Sequence, residues 1–97
     1  MKLFKGFEAE YRKRHDEIFP ELKLLLKESG IHDYSIFLDE ETNILFGYLL
    51  IDDKNKLDEL KHYPVMKKWW AYMKDIMETN DDDSPISIPL KEVFYLP

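Results

Sequence analysis

The hydrophobic period of this chain switches repeatedly between two and about 3.6 residues, and the order of those switches limits the fold more than any other feature. Residues 1–5 alternate apolar and basic, as a short strand does. From Glu8 to Ser29 the spacing is helical: Tyr11, His15, Ile18, Leu22, Leu25 and Leu26 fall on one stripe. Pro20 lacks a backbone donor and clashes with the preceding turn, so this stretch is expected to kink or break near Phe19. Gly30 suits the left-handed residue that ends a helix. Residues 32–38 alternate again, with Tyr34, Ile36 and Leu38 on one face. Asp39-Glu40-Glu41-Thr42-Asn43 reads as a turn. Ile44 to Ile51 is almost wholly apolar, the pattern of a strand covered on both faces, and the short link makes the two strands an antiparallel hairpin. Asp53 can cap a short helix carrying Leu57 and Leu60, and Pro64 can open another. That second helix, running to about Met77, places Met66, Trp69, Met73 and Ile76 on one stripe with Trp70 at its edge. Residues 80–85 form a loop, and Val93 to Leu96 reads as a last strand. Strand, helix, strand, strand, helix, strand is the split βαβ order of ferredoxin-like α+β folds: an antiparallel sheet with helices on one face.

With 97 residues, a single domain spanning 1–97 is expected. A chain this short hides only about 60–65% of its unfolded surface, so its core is thin and a second copy would help it. The net charge of −6, with no basic face beyond Arg12-Lys13-Arg14, lacks the phosphate-neutralising term that nucleic-acid binding needs. The same balance disfavours anionic membranes. No uncharged apolar run reaches the roughly 18 residues a spanning helix requires. The first residues lack a signal-peptide core, so the cytoplasm is the expected compartment. The absence of cysteine excludes disulfides, thiol catalysis and thiolate metal sites.

Two constellations could carry chemistry. Tyr11 and His15 are four apart on one helix, which makes their side chains neighbours directed at the sheet. Imidazole titrates near neutrality and both donates and accepts protons. Spacing alone leaves open whether His15 is such a carrier or a half-buried residue satisfied by a backbone carbonyl. Trp69 and Trp70 point about 100° apart, so one can pack the core while the other faces a cavity. An aromatic face suits the apolar C–H patch of a sugar, and equally a core or an interface. Tyr34 stands on the Ile36/Leu38 face, where packing with its hydroxyl at the rim is the plain alternative. His32 and His62 read as solvated. Asp81-Asp82-Asp83 lacks the spaced ligands of a calcium loop, and the three histidines show no zinc spacing. There is no Gly-rich phosphate loop, nucleophile elbow or dinucleotide fingerprint.

Around these residues the chain resembles the L-rhamnose mutarotase family. The similar stretches are 11–22 (Tyr-Arg-Lys-Arg-His-Asp-Glu-Ile-Phe-Pro-Glu-Leu), 32–39, 67–73 with its Trp-Trp pair, 80–85, and the closing Glu-Val-Phe-Tyr-Leu-Pro. Together they run from about residue 8 to the C-terminus. The resemblance implies a homodimeric ferredoxin-like domain of the α+β barrel type that interconverts the anomers of L-rhamnose. It implies His15 as the proton donor, Tyr11, Tyr34, Trp69 and Trp70 as sugar contacts, and neither metal nor organic cofactor. Two positions depart from the pattern. Phe19 stands where the family usually has Trp, a change of packing rather than chemistry. Met1 resembles a methionine partway along a first strand that is usually longer and that is central in this topology. The rival readings are a haem-binding enzyme or monooxygenase on the same dimeric barrel, with His15 at iron, and a sugar-binding module without catalysis.

Overall fold

The computed structural model describes all 97 residues. Its elements are α1 (Glu8–Asp16), α2 (Pro20–Glu28), β1 (Ile31–Asp39), β2 (Ile44–Ile51), α3 (Lys54–Glu59), a 3-10 turn (Leu60–His62) and α4 (Pro64–Met73). The break between α1 and α2 falls where Pro20 predicts it, with Pro20 opening α2. Gly30 ends that helix at φ +83°. A Cβ there would lie 2.9 Å from a carboxylate oxygen of Asp52, so the backbone angle strains any other residue and the exposed Asp52 side chain would have to shift. Asp53 caps α3 by accepting from the Asn55 N–H at 3.0 Å. Pro64 opens α4.

β1 and β2 pair antiparallel, with Phe37 opposite Phe46 and Leu38 opposite Leu45. The N-terminal residues lie on the far side of β2: the Leu3 N–H donates to the Asn43 carbonyl and the Leu45 N–H to that of Met1. On their other side, Leu3 bridges Met77, and the Glu78 N–H donates to the Lys2 carbonyl. The antiparallel order across the sheet is therefore 77–79, 1–3, β2, β1, an α+β arrangement of ferredoxin-like type. Leu3, central in it, is 1% exposed.

The core is one cluster in which Leu3, Leu22, Leu45, Met73 and Ile76 are nearly solvent-free. It forms because the helices bring their apolar stripes onto a single face of the sheet. Three sequence expectations change here. Helix α4 stops at Met73 rather than Met77, because Met77 is taken by the strand pairing with Leu3. Strand β2 is covered on one face only: Leu45 is buried, while Phe46, Tyr48 and Leu50 are exposed. Residues 93–96 form no strand within their own chain.

Arg14 locks α1 to the turn after α4. Its guanidinium holds Asp75 through two bonds at 2.8 and 3.2 Å, donates to the Tyr72 carbonyl at 2.7 Å and to Glu10 at 3.0 Å, and lies 4.4 Å over the Tyr72 ring. Bonding to Asp75 raises the Arg14 pKa and lowers that of Asp75. The Asp75 carboxylate is largely solvated, which screens the pair. Arg14→Ala is expected to cost about 1–3 kcal/mol, mostly from orphaned acceptors and lost packing. Arg14→Lys should recover only part, because an ammonium cannot span both carboxylate oxygens while donating to Tyr72. Thermal melts of the two variants check this; equal melting temperatures for both and the parent would refute it.

Candidate active site

Between the sheet and the helices lies a cavity of about 1130 Å³. Every residue singled out in the sequence lines it: Tyr11, His15, Tyr34, Trp69 and Trp70. Helix α1 carries the first two, the start of β1 the third, and α4 the tryptophans.

His15 is half-buried. Its Nδ1 stands 2.9 Å from the Tyr11 carbonyl. A carbonyl can only accept, so Nδ1 carries the hydrogen and donates it. That leaves Nε2 of the neutral ring with an unused lone pair. Of the two readings that spacing left open, the contact with a backbone carbonyl is met at Nδ1, and the ring's other nitrogen is left without a protein partner. The Tyr11 ring lies alongside the imidazole, with centroids 4.2 Å apart, and Trp69 stands perpendicular to it at 5.3 Å. Burial among these rings lowers the His15 pKa from its ordinary 6.5. The Tyr11 carbonyl and Asp16 oppose the shift without reversing it.

The two tyrosines are displaced in the opposite sense. Burial raises the pKa of both hydroxyls, and at Tyr11 the nearby Tyr34 adds to the rise. Tyr34 reaches the cavity through a bulge. The register of β1 slips between His32 and Ser35, where Asp33 takes a φ of +49°. Sequence alternation alone could not show this bulge, although Tyr34 still ends on the side of Ile36 and Leu38.

Trp69 is 7% exposed and held by a cluster of rings: Phe19 perpendicular at 5.1 Å and Tyr72 tilted at 5.9 Å. Phe19 therefore sits behind Trp69, stacked on Tyr72 as well. Trp70 is half-buried at the cavity wall. The sequence expectation divided the tryptophans between core and cavity; in fact both line the cavity, Trp69 buried within the core and Trp70 half-buried against it. Sequence reasoning missed Met66, Met73 and Leu49 as cavity lining, since their stripe positions signal only a core. His32 lies away from this cavity, its Nε2 3.0 Å from Asp52 at the surface. No three acidic or histidine side chains converge as a metal site would need.

Residues 1–96 match the family model described as L-rhamnose mutarotase. The chain belongs to the L-rhamnose mutarotase family. Among its relatives, the L-rhamnose mutarotase of Brucella anthropi is 59% identical over 97 residues, covering all of this chain and 92% of that protein. That of Lachnoclostridium phytofermentans is 53% identical over 96 residues, covering 99% and 92%. The crystal structure of an L-rhamnose mutarotase from Formosa agariphila superposes with a TM-score of 0.92 at 50% identity, covering all of this chain and 93% of that one. A mutarotase catalyses the exchange of sugar anomers, so the family is one of isomerases. Exchange of anomers takes a proton from the anomeric hydroxyl and puts one on the ring oxygen, so it needs an acceptor and a donor near C1.

Proposed function

We propose that the chain interconverts the α and β anomers of L-rhamnose, with His15 as the proton carrier. The observation that carries this reading is the neutral imidazole in a ring-lined cavity with Nε2 free. Opening the sugar takes the proton of the anomeric hydroxyl, breaks the bond between C1 and the ring oxygen, and delivers a proton to that oxygen. His15 Nε2 accepts the first proton and gives it back as the ring closes, which is the donor role the resemblance implies. A tyrosine hydroxyl, Tyr11 or Tyr34, or a water held by them, supplies the second. The open aldehyde turns about C1–C2, and the same transfers run backwards as the ring closes on the other face.

The opposed pKa shifts support these roles. At neutral pH the imidazole is unprotonated and ready to accept, while the hydroxyls keep their protons and can donate. Burial also destabilises the imidazolium formed in the first step, which hastens return of the proton. Trp69 and Trp70 cover the apolar side of the sugar, including its C6 methyl. A neutral substrate suits a cavity whose wall is mostly apolar. No metal or organic cofactor is assigned a role. The working unit is a homodimer of single-domain subunits, and its place of work is the cytoplasm. No helix is long and apolar enough to cross a membrane.

The test is the rate of anomer exchange in L-rhamnose, followed by saturation transfer between the two anomeric NMR signals across pH. The basic form of His15 persists below the ordinary imidazole range because its pKa is lowered. Catalysis should therefore stay level as pH falls toward 6.5 and decline only below it, as protonation removes the acceptor. The same sign holds for stability. The unfolded chain binds the proton at higher pH than the folded one, so the contribution of His15 is present above 6.5 and fades as pH drops through the folded value. An acid limb centred above 6.5, or no protein-dependent exchange at any pH, would contradict the assignment.

A further inference from the structure

Tyr34 enters the cavity because β1 is bent to deliver it. From His32 to Ser35 the strand takes three steps where β2 takes two, from Leu50 to Tyr48, so Asp33 and Tyr34 together stand opposite Leu49. The pairs on either side, Ile31 with Ile51 and Ile36 with Gly47, are regular, which confines the irregularity to this spot. Side chains alternate along a strand, so a regular β1 would send Ile31 and Tyr34 to opposite faces. Here both line the cavity, and Ile31 is 8% exposed. The extra residue lets the strand keep Ile31 inside and bring Tyr34 in beside it. Asp33 makes this possible by taking a φ of +49°, in the left-handed region. Glycine is the usual residue at such a bulge position. An aspartate tolerates the angle, whereas a β-branched residue does not.

Gly47 supplies the other half. It lies in mid-strand, where glycine weakens pairing and packs nothing. Its φ is not positive, unlike that of Gly6 or Gly30, so the backbone does not call for it. What the missing side chain leaves is room. A Cβ built there would lie 3.9 Å from Cε1 of Tyr34 and 3.8 Å from the methyl carbon of Met1. A single methyl group fits in ordinary contact, and a branched side chain would enter the space of the Tyr34 ring. Tyr34 lies diagonal to Gly47 across the strand pair, since the direct partner of Gly47 is Ile36. The Tyr34 residue is 44% exposed, so packing by its neighbours does not hold the ring by itself. The bulge sets its direction, and the bare strand position sets its seat.

We infer that Asp33 and Gly47 are positioning residues for Tyr34: the left-handed turn at Asp33 aims the ring into the cavity, and the empty place at Gly47 receives it. Together they fix where the Tyr34 hydroxyl meets the sugar. The inference rests on the reading of Tyr34 as a sugar contact given above.

The test combines anomer-exchange kinetics on L-rhamnose with NMR of the full chain. Gly47→Val should lower kcat/KM by about ten- to a hundredfold, because displacing a contact group by about 1 Å costs up to that much. Gly47→Ala should stay close to the parent. In a Tyr34→Ala background the same valine should add little further loss, since the ring it displaces is gone. Asp33→Val should lose activity as Gly47→Val does. Asp33→Gly, which adopts the left-handed angle freely, should keep it. Nuclear Overhauser contacts between the Tyr34 ring and the Gly47 Hα protons read the seat without any sugar. They should be present in the parent and in Asp33→Gly, and lost in Asp33→Val. A valine effect at position 47 as large without the Tyr34 ring as with it overturns the inference. So does an Asp33→Val variant that keeps both the contact and the parent's activity. If Gly47→Val does not fold, the two Asp33 variants decide by the same measurements. A parent that shows the ring contact but no protein-dependent exchange would sink the catalytic reading and leave the positioning of Tyr34 standing. A parent that exchanges anomers without the contact would do the reverse.

Discussion

His15→Ala is expected to slow protein-dependent exchange of L-rhamnose anomers by roughly 10²–10⁴-fold, the share that a positioned acid or base contributes. The cavity, both tyrosines and both tryptophans remain, so sugar binding should change far less than turnover. The fold should survive. The side chain gives up one hydrogen bond, to the Tyr11 carbonyl, worth about 0.5–1.5 kcal/mol, and a carbonyl at a cavity wall can turn to water instead. Polarimetry on freshly dissolved sugar gives the rate, and a melt gives the stability. Loss of activity without loss of fold is the expected pair of results. A variant as fast as the parent would move the proton to another group, of which the Tyr11 and Tyr34 hydroxyls are the candidates on the same wall. Such a result would also remove the acid limb assigned to imidazole. The pH profile and the substitution therefore test one claim by separate routes.

The largest loss of stability is expected at Ile76→Ala. Ile76 is 0% exposed and belongs to the cluster with Met66, Trp69 and Met73. Its carbonyl also accepts from the Phe4 N–H at 2.9 Å, so it joins the turn after α4 to the central N-terminal residues. Truncation to alanine leaves a cavity the close-packed neighbours fill only in part, at about 2–5 kcal/mol. Domains of this size hold about 5–15 kcal/mol in all. At about 4–8 °C per kcal/mol, the melting temperature should fall by roughly 8–40 °C. Ile76→Val removes one methylene and should cost about 0.5–1.5 kcal/mol. Melts at one protein concentration, so that association is held constant, check both. A loss under about 1 kcal/mol for the alanine variant would mean that the core is looser than its burial implies.

The element order was legible because each element carries its own period and its own punctuation. Pro20 and Gly30 cut the long helical stretch at both ends, Asp53 and Pro64 marked the starts of α3 and α4, and the turn at 39–43 set the hairpin. These signals act over a few residues, through φ limits and capping groups, so they survive without knowledge of the rest of the chain. The pairing of Tyr11 with His15 was legible for the same reason: positions four apart on a helix are neighbours in any context.

What only the tertiary structure decided depends on groups far apart in sequence. The end of α4 at Met73 follows from Met77 being claimed by Leu3, some seventy positions away. The double role of Trp69 depends on Phe19 and His15 converging on it from other helices. The tautomer and lowered pKa of His15 come from a carbonyl and a set of rings whose arrangement no spacing rule encodes. The strand pattern at 93–96 and the two-sided apolar run of β2 meet no second layer within the chain, so Val93–Leu96, Phe46, Tyr48 and Leu50 stay exposed. The sequence by itself determined the order of the helices and the hairpin, and which residues could carry a proton. Burial, partner and protonation were set by packing, because desolvation and hydrogen bonding depend on what arrives from elsewhere in the fold.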